Sequence, residues 1–379
     1  MIDYVFNEQQ LKLKEKAHEF AVKYILPKER EYDEKAVFPS DIIEKARAEK
    51  LVNGMIPKEY GGQGYGVMER YIISEEMAWA CSGIAIAMQV QDAVVIPFLL
   101  SKKEPLRKKY FKELLDGKLM ALAYTEPDAG SHLTAIQTEA RHVGDTYILN
   151  GTKTLISSVN QAAYALVFAK IRKPEKDVFS MFVVDMKDPG ITIHESIETM
   201  GQRANVIGGF DMHDVVVKEE DMIFEEDGFK TALKGIEYNR TCCSGIAVGI
   251  ARRALDESIK YAKERETYGK PIWKHQAVGQ MIANMDVQIQ AAQLLSWQAA
   301  KNMELNNDRE MLSSYAKVFS TDAATQICSD ALQIFGGNGY LKKNEVEKLY
   351  RDVKVCQIYE GTSQIHRDTI VRLLVKKDR

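Results

Sequence analysis

The chain has 379 residues, 45% of them hydrophobic and 28% charged, and a formal net charge of −3 at pH 7. That length exceeds what one core usually serves, so two or three domains are expected. The charge gives no general attraction for nucleic acid, and interleaved Lys/Glu runs such as "KLKEKAHEF" mark solvated helix faces rather than a basic patch.

The opening "MIDYVFNEQQ" has neither the basic segment nor the apolar run of a signal peptide, so a cytoplasmic protein is expected. Residues 1–120 read as an α-helical domain. "NEQQLKLKEKAHEFAVKYILPKER" carries a 3.6-residue period with Asn7 placed as N-cap, and "SDIIEKARAEKLVNGMIP" gives a further helix with Gly54 near its end. "GGQGYG" at 61–66 sits between helices and follows no strand, which makes it a turn and a poor dinucleotide fingerprint. Residues 83–100 approach membrane-span length, but Gln89, Gln91, Asp92 and Pro97 argue for a buried helix and against a span.

At 121 the pattern changes. "TYILNGTKTLISS" reads as two strands around an Asn150-Gly151 hairpin, and "AYALVFAKI", "FSMFVVDM", "GITIH" and "FDMHDVVVK" follow at strand-like spacing. An antiparallel β-domain, barrel or sandwich, is expected over 121–227. From 228 to 379 long amphipathic segments return, and their Ala, Met and Leu content suits a four-helix bundle. Cys81, Cys242, Cys243, Cys328 and Cys356 show neither metal spacing nor a disulfide framework, and the seven histidines form no HExxH pattern. Reduced thiols and no metal site are expected.

Three motifs fall at the joints of this helical, β, helical order: "YTEPDAGSH" at 124–132, "QIFGGNGY" at 333–340 with "RD" at 351–352, and "IYEGTSQIHR" at 358–367. With "NGTKTLIS" and "RETYGKPI" followed by "HQ" (265–276), they resemble the acyl-CoA dehydrogenase family along essentially the whole chain. The resemblance implies FAD as cofactor, because no side chain accepts the hydride that α,β-dehydrogenation of a thioester releases. It implies Glu360 as the base that removes the α-proton, with Gly361 letting the backbone pass close to the substrate. Alone, Glu360 would read as a surface carboxylate at a helix start. For FAD, the resemblance points to Tyr124, Thr125, Gly130 and Ser131 at the isoalloxazine, Leu155 and Ser157 beside it, and Arg265 and Thr267 at the pyrophosphate. Gln333, Gly336 and Gly337 fall on the adenosine side, and Thr362 and Gln364 flank the base. On the substrate side it points to Ser131, Glu237 and Arg240. It further implies a homotetramer, with the Arg265 and Gln333 segments serving a neighbouring subunit, and an electron-transferring flavoprotein as acceptor.

Leu155 stands where many members carry an aromatic ring, and Asp92 where most carry a small neutral residue. Ile84, Met88, Val95 and Leu99 place Asp92 within an apolar stripe at the far end of the acyl site. A buried carboxylate there reads three ways: a second acid/base for an alicyclic acyl-CoA of the cyclohexane- or cyclohexene-carboxyl type, a recognition group for a polar tail, or a structural residue bonded to Gln89, Gln91 or a neighbouring domain. A short- or branched-chain linear acyl-CoA dehydrogenase, an acyl-CoA oxidase and a catalytically silent thioester-binding scaffold stay open beside the alicyclic reading.

Overall fold

The computed structural model describes residues 6–224, 228–305 and 309–377. Six helices come first: α1 (Glu8–Phe20), α2 (Glu29–Lys35), α3 (Ser40–Ala48), α4 (Val67–Ala93), α5 (Val95–Leu100) and α6 (Glu104–Leu115). Asn7 caps α1. Its side chain accepts from the Gln10 N–H while Gln10 Oε1 accepts from the Asn7 N–H, which pairs two donors that a helix start leaves free. The helix expected to run toward Gly54 stops at Ala48, because Lys50 (φ 60°) and Asn53 (φ 58°) both turn left-handed.

α4 is not one rod. Cys81 is extended in its middle (φ −160°, ψ 112°). Arg70 Nη2 reaches the Gln89 carbonyl at 3.2 Å, whereas 19 residues of straight helix span about 28 Å, so the two arms fold back on each other. The apolar stripe expected across 84–99 is also interrupted. The arm bearing Asp92 ends at Ala93 and α5 starts at Val95. Pro97 has no N–H for the carbonyl of residue 93, and its ring crowds that carbonyl. The stretch Val67–Leu100 is long and apolar enough to cross a bilayer, its most apolar 18 residues having a mean hydropathy of 1.7. However, 83% of those residues are buried inside the protein, as in a core helix.

The β-domain holds β1 (Met120–Ala123), β2 (Glu139–Val143), β3 (Thr146–Ser157), β4 (Tyr164–Ile171), β5 (Val178–Asp185), β6 (Ile191–Ile193) and β7 (Ile207–Lys218). They form one seven-stranded sheet in the order β1-β4-β2-β3-β7-β6, with β5 on β4. The antiparallel expectation needs one amendment: β4 runs parallel to β1 and to β2. The hairpin expected at Asn150-Gly151 is corrected. The two-residue turn lies at Gly144-Asp145 between β2 and β3, and Asn150-Gly151 is a bulge inside β3 opposite β7. The sequence signal was a glycine requirement of a different kind. Gly151 has φ 149°, and a Cβ there would sit 2.5 Å from Thr138 Oγ1.

The C-terminal part is α7 (Gly228–Glu264), a small β8 (Glu266–Thr267)–β9 (Lys270–Pro271) hairpin that the sequence reading did not anticipate, α8 (Gln276–Leu305), α9 (Arg309–Phe335), α10 (Glu345–Val353) and α11 (Ser363–Lys377). α7, α8, α9 and α11 make the bundle. The expected boundary at 227 lies outside the described residues. The first and third helical regions share one core, in which Met77 and Ile84 pack with Ile246, Ile250, Ile327 and Leu349. The sheet keeps a core of its own around Phe182 and Phe210. Gly249 sets the close crossing of α4 and α7, since a Cβ there would meet the Glu75 carbonyl oxygen at 2.4 Å.

The "RD" pair stitches these parts together. Asp352 is fully buried and accepts from Ser82 Oγ (2.8 Å) on α4, the Gln202 N–H (2.6 Å) in the β6–β7 connection, and Lys348 Nζ (2.8 Å). Arg351 pairs with Asp33 at 2.9 Å and donates to the Met200 carbonyl at 3.1 Å. One dyad thus bonds to all three regions.

Candidate active site

Glu360 and Gly361 lie in the turn before α11, and both are left-handed, at φ 53° and φ 94°. A glutamate in that conformation costs about 1–3 kcal/mol and persists only where neighbours fix it. Three side chains do so. Arg240 Nε donates to the Glu360 carbonyl at 3.4 Å, His366 Nε2 approaches the same oxygen at 3.2 Å, and Lys317 Nζ donates to the Gly361 carbonyl at 2.5 Å. Burial and the neighbouring cations Arg240 and Lys317 hold His366 down at about 3, so its ring is neutral and Nε2–H is the donor. A Cβ on Gly361 would sit 2.9 Å from His366 Nε2.

The Glu360 carboxyl is pushed above its ordinary range by burial, against the pull of Arg240, Arg70 and Lys317. Tyr124, just after β1, is partly buried, and its hydroxyl is raised by desolvation and by the charge of Glu360. The turn of Glu360, the middle of α7 and the end of β1 therefore meet. Gly361, Arg240 and Tyr124 come together around Glu360. Glu237 stands one turn before Arg240, 3.9 Å from Arg309, and its carboxyl is raised by burial.

The loop after β1 is held by an ion pair between buried groups. Lys153 Nζ lies 2.8 Å from Glu126 Oε1 and also donates to the Tyr124 carbonyl at 3.1 Å. Glu126 in turn accepts from the N–H groups of Gln137 and Thr138. Thr154 N–H donates to the Thr125 carbonyl at 3.0 Å, which fixes Thr125 beside β3. Gly130 and Ser131 sit exposed on this loop. Leu155 is left-handed (φ 57°) at an irregularity of β3 and more than half exposed. Ser157 Oγ accepts from Asn205 Nδ2 at 2.9 Å.

Arg265, Thr267, Gln333, Gly336 and Gly337 form a separate group. Tyr261 stacks on Phe335 at 4.1 Å and accepts from Asn338 Nδ2 at 2.9 Å. This brings the start of the β8–β9 hairpin beside the end of α9. Arg265, Gln333, Gly336 and Gly337 are exposed there, and Thr267 Oγ1 bonds His275 at 2.9 Å. Among the described residues, no hydrogen bond or ion pair joins this group to Tyr124, Ser157 or Glu360. Thr362 and Gln364 line a polar pocket of about 350 Å³ with Asp322, Gln357 and Arg367.

The comparisons with known proteins address the whole chain. Residues 7–118, 121–215 and 226–375 match the N-terminal, middle and C-terminal domains of acyl-CoA dehydrogenase. This chain belongs to the acyl-CoA dehydrogenase family. It is 38% identical over 98% of its length to the whole of a 3-(aryl)acrylate reductase from Clostridium sporogenes. It is 34% identical over 98% of its length to 99% of cyclohex-1-ene-1-carbonyl-CoA dehydrogenase from Geobacter metallireducens. A solved structure described as the electron transferring flavoprotein of Acidaminococcus fermentans superposes with a TM-score of 0.95 at 32% identity, over 99% of this chain and 100% of that one. The chain is an oxidoreductase of this family, whose cofactor is FAD.

The exposed residues suit a flavin nucleotide. The Arg265 guanidinium has no side-chain partner among the described residues, and a Cβ on Gly336 or Gly337 would meet nothing within 4 Å, which leaves their backbone open to a phosphate or ribose.

Arg70 was missed by the sequence reading, as were Glu126–Lys153, Lys317 and His366. Lys317 lies in "YAKVFSTDAAT", a run of small and apolar residues, and that context was the available signal. Asp92 is buried on the folded-back arm of α4. Burial raises it from 3.8 to about 6, against the charge of Arg70 and the N–H groups of residues 53–55. Gln91, one of its expected partners, instead bonds Met120 of β1 in both directions, at 3.2 and 3.1 Å. A carboxyl raised in the folded state opposes folding once ionised, so its contribution falls as pH rises from about 4 through 6. Urea unfolding of wild type and Asp92→Asn at pH 4 and pH 7 is expected to show the variant gaining about 2 kcal/mol on the wild type between the two. Equal differences at both pH values would remove Asp92 from this account.

Proposed function

We propose that this protein interconverts a saturated acyl-CoA and its α,β-unsaturated counterpart, and that the acyl group carries a six-membered ring. The observation that carries the reading is the strained Glu360–Gly361 turn, pinned by Arg240, His366 and Lys317, with a buried carboxyl of raised proton affinity. In the oxidative direction Glu360 takes the proton from Cα of the thioester, and the electron pair left there becomes the new double bond as hydride leaves Cβ. Bound FAD supplies the acceptor for that hydride. Arg240 keeps the Glu360 backbone in register, and Arg240, Arg70 and Lys317 temper the proton affinity that burial raises. Tyr124, Thr125, Gly130, Ser131, Leu155, Ser157, Thr362 and Gln364 of one subunit hold the flavin end. Arg265, Thr267, Gln333, Gly336 and Gly337 of a neighbouring subunit hold the nucleotide end, which makes a homotetramer the working form. Ser131 and Glu237 face the CoA arm. Electrons pass to or from an electron-transferring flavoprotein.

The ring is supported by Asp92 and by the names of the two relatives, a 3-(aryl)acrylate reductase and a cyclohex-1-ene-1-carbonyl-CoA dehydrogenase. A linear saturated tail gives no reason for a buried carboxylate. For a cyclohexene-carboxyl thioester, Asp92 is a second acid/base, positioned for a ring proton that the conjugated double bond acidifies. Anaerobic flavin bleaching with aryl-, cyclohexenyl- and straight-chain thioesters tests this. Ring-bearing thioesters are expected to bleach the flavin fastest, and Asp92→Asn to lose the cyclohexenyl reaction with FAD still bound. Faster bleaching by butyryl-CoA than by every ring thioester would favour the linear-chain alternative.

A further inference from the structure

In the reaction above Arg70 acts on Glu360 through its charge alone, and Gln89 has no part. The Arg70 side chain is 2% exposed. Nη1 donates to Asn239 Oδ1 at 2.9 Å and Nη2 to the Gln89 carbonyl at 3.2 Å, so α7 and both arms of α4 fix the guanidinium plane. Nε is buried and has no partner. Asp92 Oδ1 and Gln89 Oε1 are also buried and unpartnered, on side chains each 6% exposed. Gln89 and Asp92 stand about one turn apart on the same arm of α4, and Arg70 touches that arm at the Gln89 carbonyl, so the three side chains share one region. Arg70 acts on the charges of both Asp92 and Glu360, yet among the described residues no ion pair within 4 Å joins it to either.

The unpaired set is one donor and two acceptors. An unsatisfied buried polar atom costs about 1–3 kcal/mol, more when charged. Three of them in one region are best matched by a ligand group that accepts once and donates once. A hydroxyl does both: its oxygen accepts from Arg70 Nε–H and its hydrogen goes to Asp92 or Gln89. A methyl or a ring C–H does neither, and a carboxylate would accept from Arg70 but repel Asp92.

We propose that Arg70, Gln89 and Asp92 form a subsite for a hydroxyl on the far side of the acyl ring, so that the preferred substrate is a hydroxylated cyclic acyl-CoA. This rests on the ring-bearing reading above. Arg70 and Gln89 are specificity residues in this scheme, and the proton chemistry at Cα does not pass through them.

The test uses the FAD-loaded enzyme and two thioesters that differ by one atom, 3-phenylpropanoyl-CoA and 3-(4-hydroxyphenyl)propanoyl-CoA. Both the rate of anaerobic flavin bleaching and the Kd from spectral titration are read. Wild type is expected to favour the hydroxylated thioester by about 10- to 100-fold, the range of one to two hydrogen bonds to charged groups. Arg70→Lys keeps the charge but loses Nε, and Gln89→Met removes an acceptor at similar volume. Each is expected to shrink the preference, and in Gln89→Met 3-phenylpropanoyl-CoA still bleaches the flavin. Equal handling of the two thioesters by wild type overturns the subsite and leaves the ring reading standing. A preference that survives in both variants overturns the assignment to these residues. Bleaching by butyryl-CoA but by neither ring thioester overturns the ring reading and the subsite with it.

Discussion

Glu360→Gln is expected to retain FAD and to lose thioester oxidation by about 10²–10⁴-fold or more, the range for removing a positioned general base. The amide keeps the volume and the backbone contacts of the turn, because Arg240 and His366 grip the carbonyl of residue 360 and not its side chain. What it removes is a carboxylate whose proton affinity is raised by burial, and an amide cannot take a proton from carbon at neutral pH. The visible flavin spectrum reports cofactor retention and anaerobic bleaching by substrate reports the chemistry, so the two are separable. Unchanged bleaching in the variant would end the assignment. The neighbouring cations sharpen the expectation: with the carboxylate gone, Arg240, Arg70 and Lys317 lose a shared counter-charge, and the binding of a thioester enolate analogue is expected to strengthen relative to that of substrate.

Asp352→Ala is expected to cost about 3–5 kcal/mol of stability, the scale for breaking a buried pair. Lys348 is 3% exposed and would keep its ammonium without its 2.8 Å partner, with only Glu345 at 3.9 Å to face it. The Ser82 hydroxyl and the Gln202 N–H would lose their acceptor in the same stroke. Since those donors come from α4 and from the β6–β7 connection, unfolding is expected to lose cooperativity between the β-domain and the helical parts. Denaturant titration followed by tryptophan fluorescence and by far-ultraviolet circular dichroism checks this. The double variant Asp352→Ala/Lys348→Met is expected to recover part of the loss, since it removes the unpaired charge as well. A single variant within 1 kcal/mol of wild type would show that the dyad does not hold the regions together.

Legibility differed from one part of the chain to another. The helical, β, helical order, the cap at Asn7 and the bundle could be read from period and punctuation, because those signals act within a few residues. The hairpin at Asn150-Gly151 could not. The same dipeptide serves a turn or a bulge, and the choice is made by Thr138 and β7, which pack against it from elsewhere in the sheet. Likewise, Glu126 and Lys153 sat in plain view in two motifs, but nothing local shows that they pair. Arg70 had no signal at all: in a helix between Glu69 and Tyr71 it reads as an ordinary solvated charge.

Asp92 shows where the division falls. By itself the sequence determined that a carboxylate interrupts an apolar run, and that Glu360 stands in a turn with a glycine behind it, because hydrophobic pattern and residue type are local properties. Only the tertiary structure decided what surrounds them. The bend at Cys81 folds one arm of α4 back so that Arg70 lies near Asp92, and the packing of α7 against both brings Arg70 within the field of Glu360. Charge, burial and hydrogen-bond satisfaction are sums over neighbours in space, and residues 70, 92, 240 and 360 become neighbours only once the chain has folded.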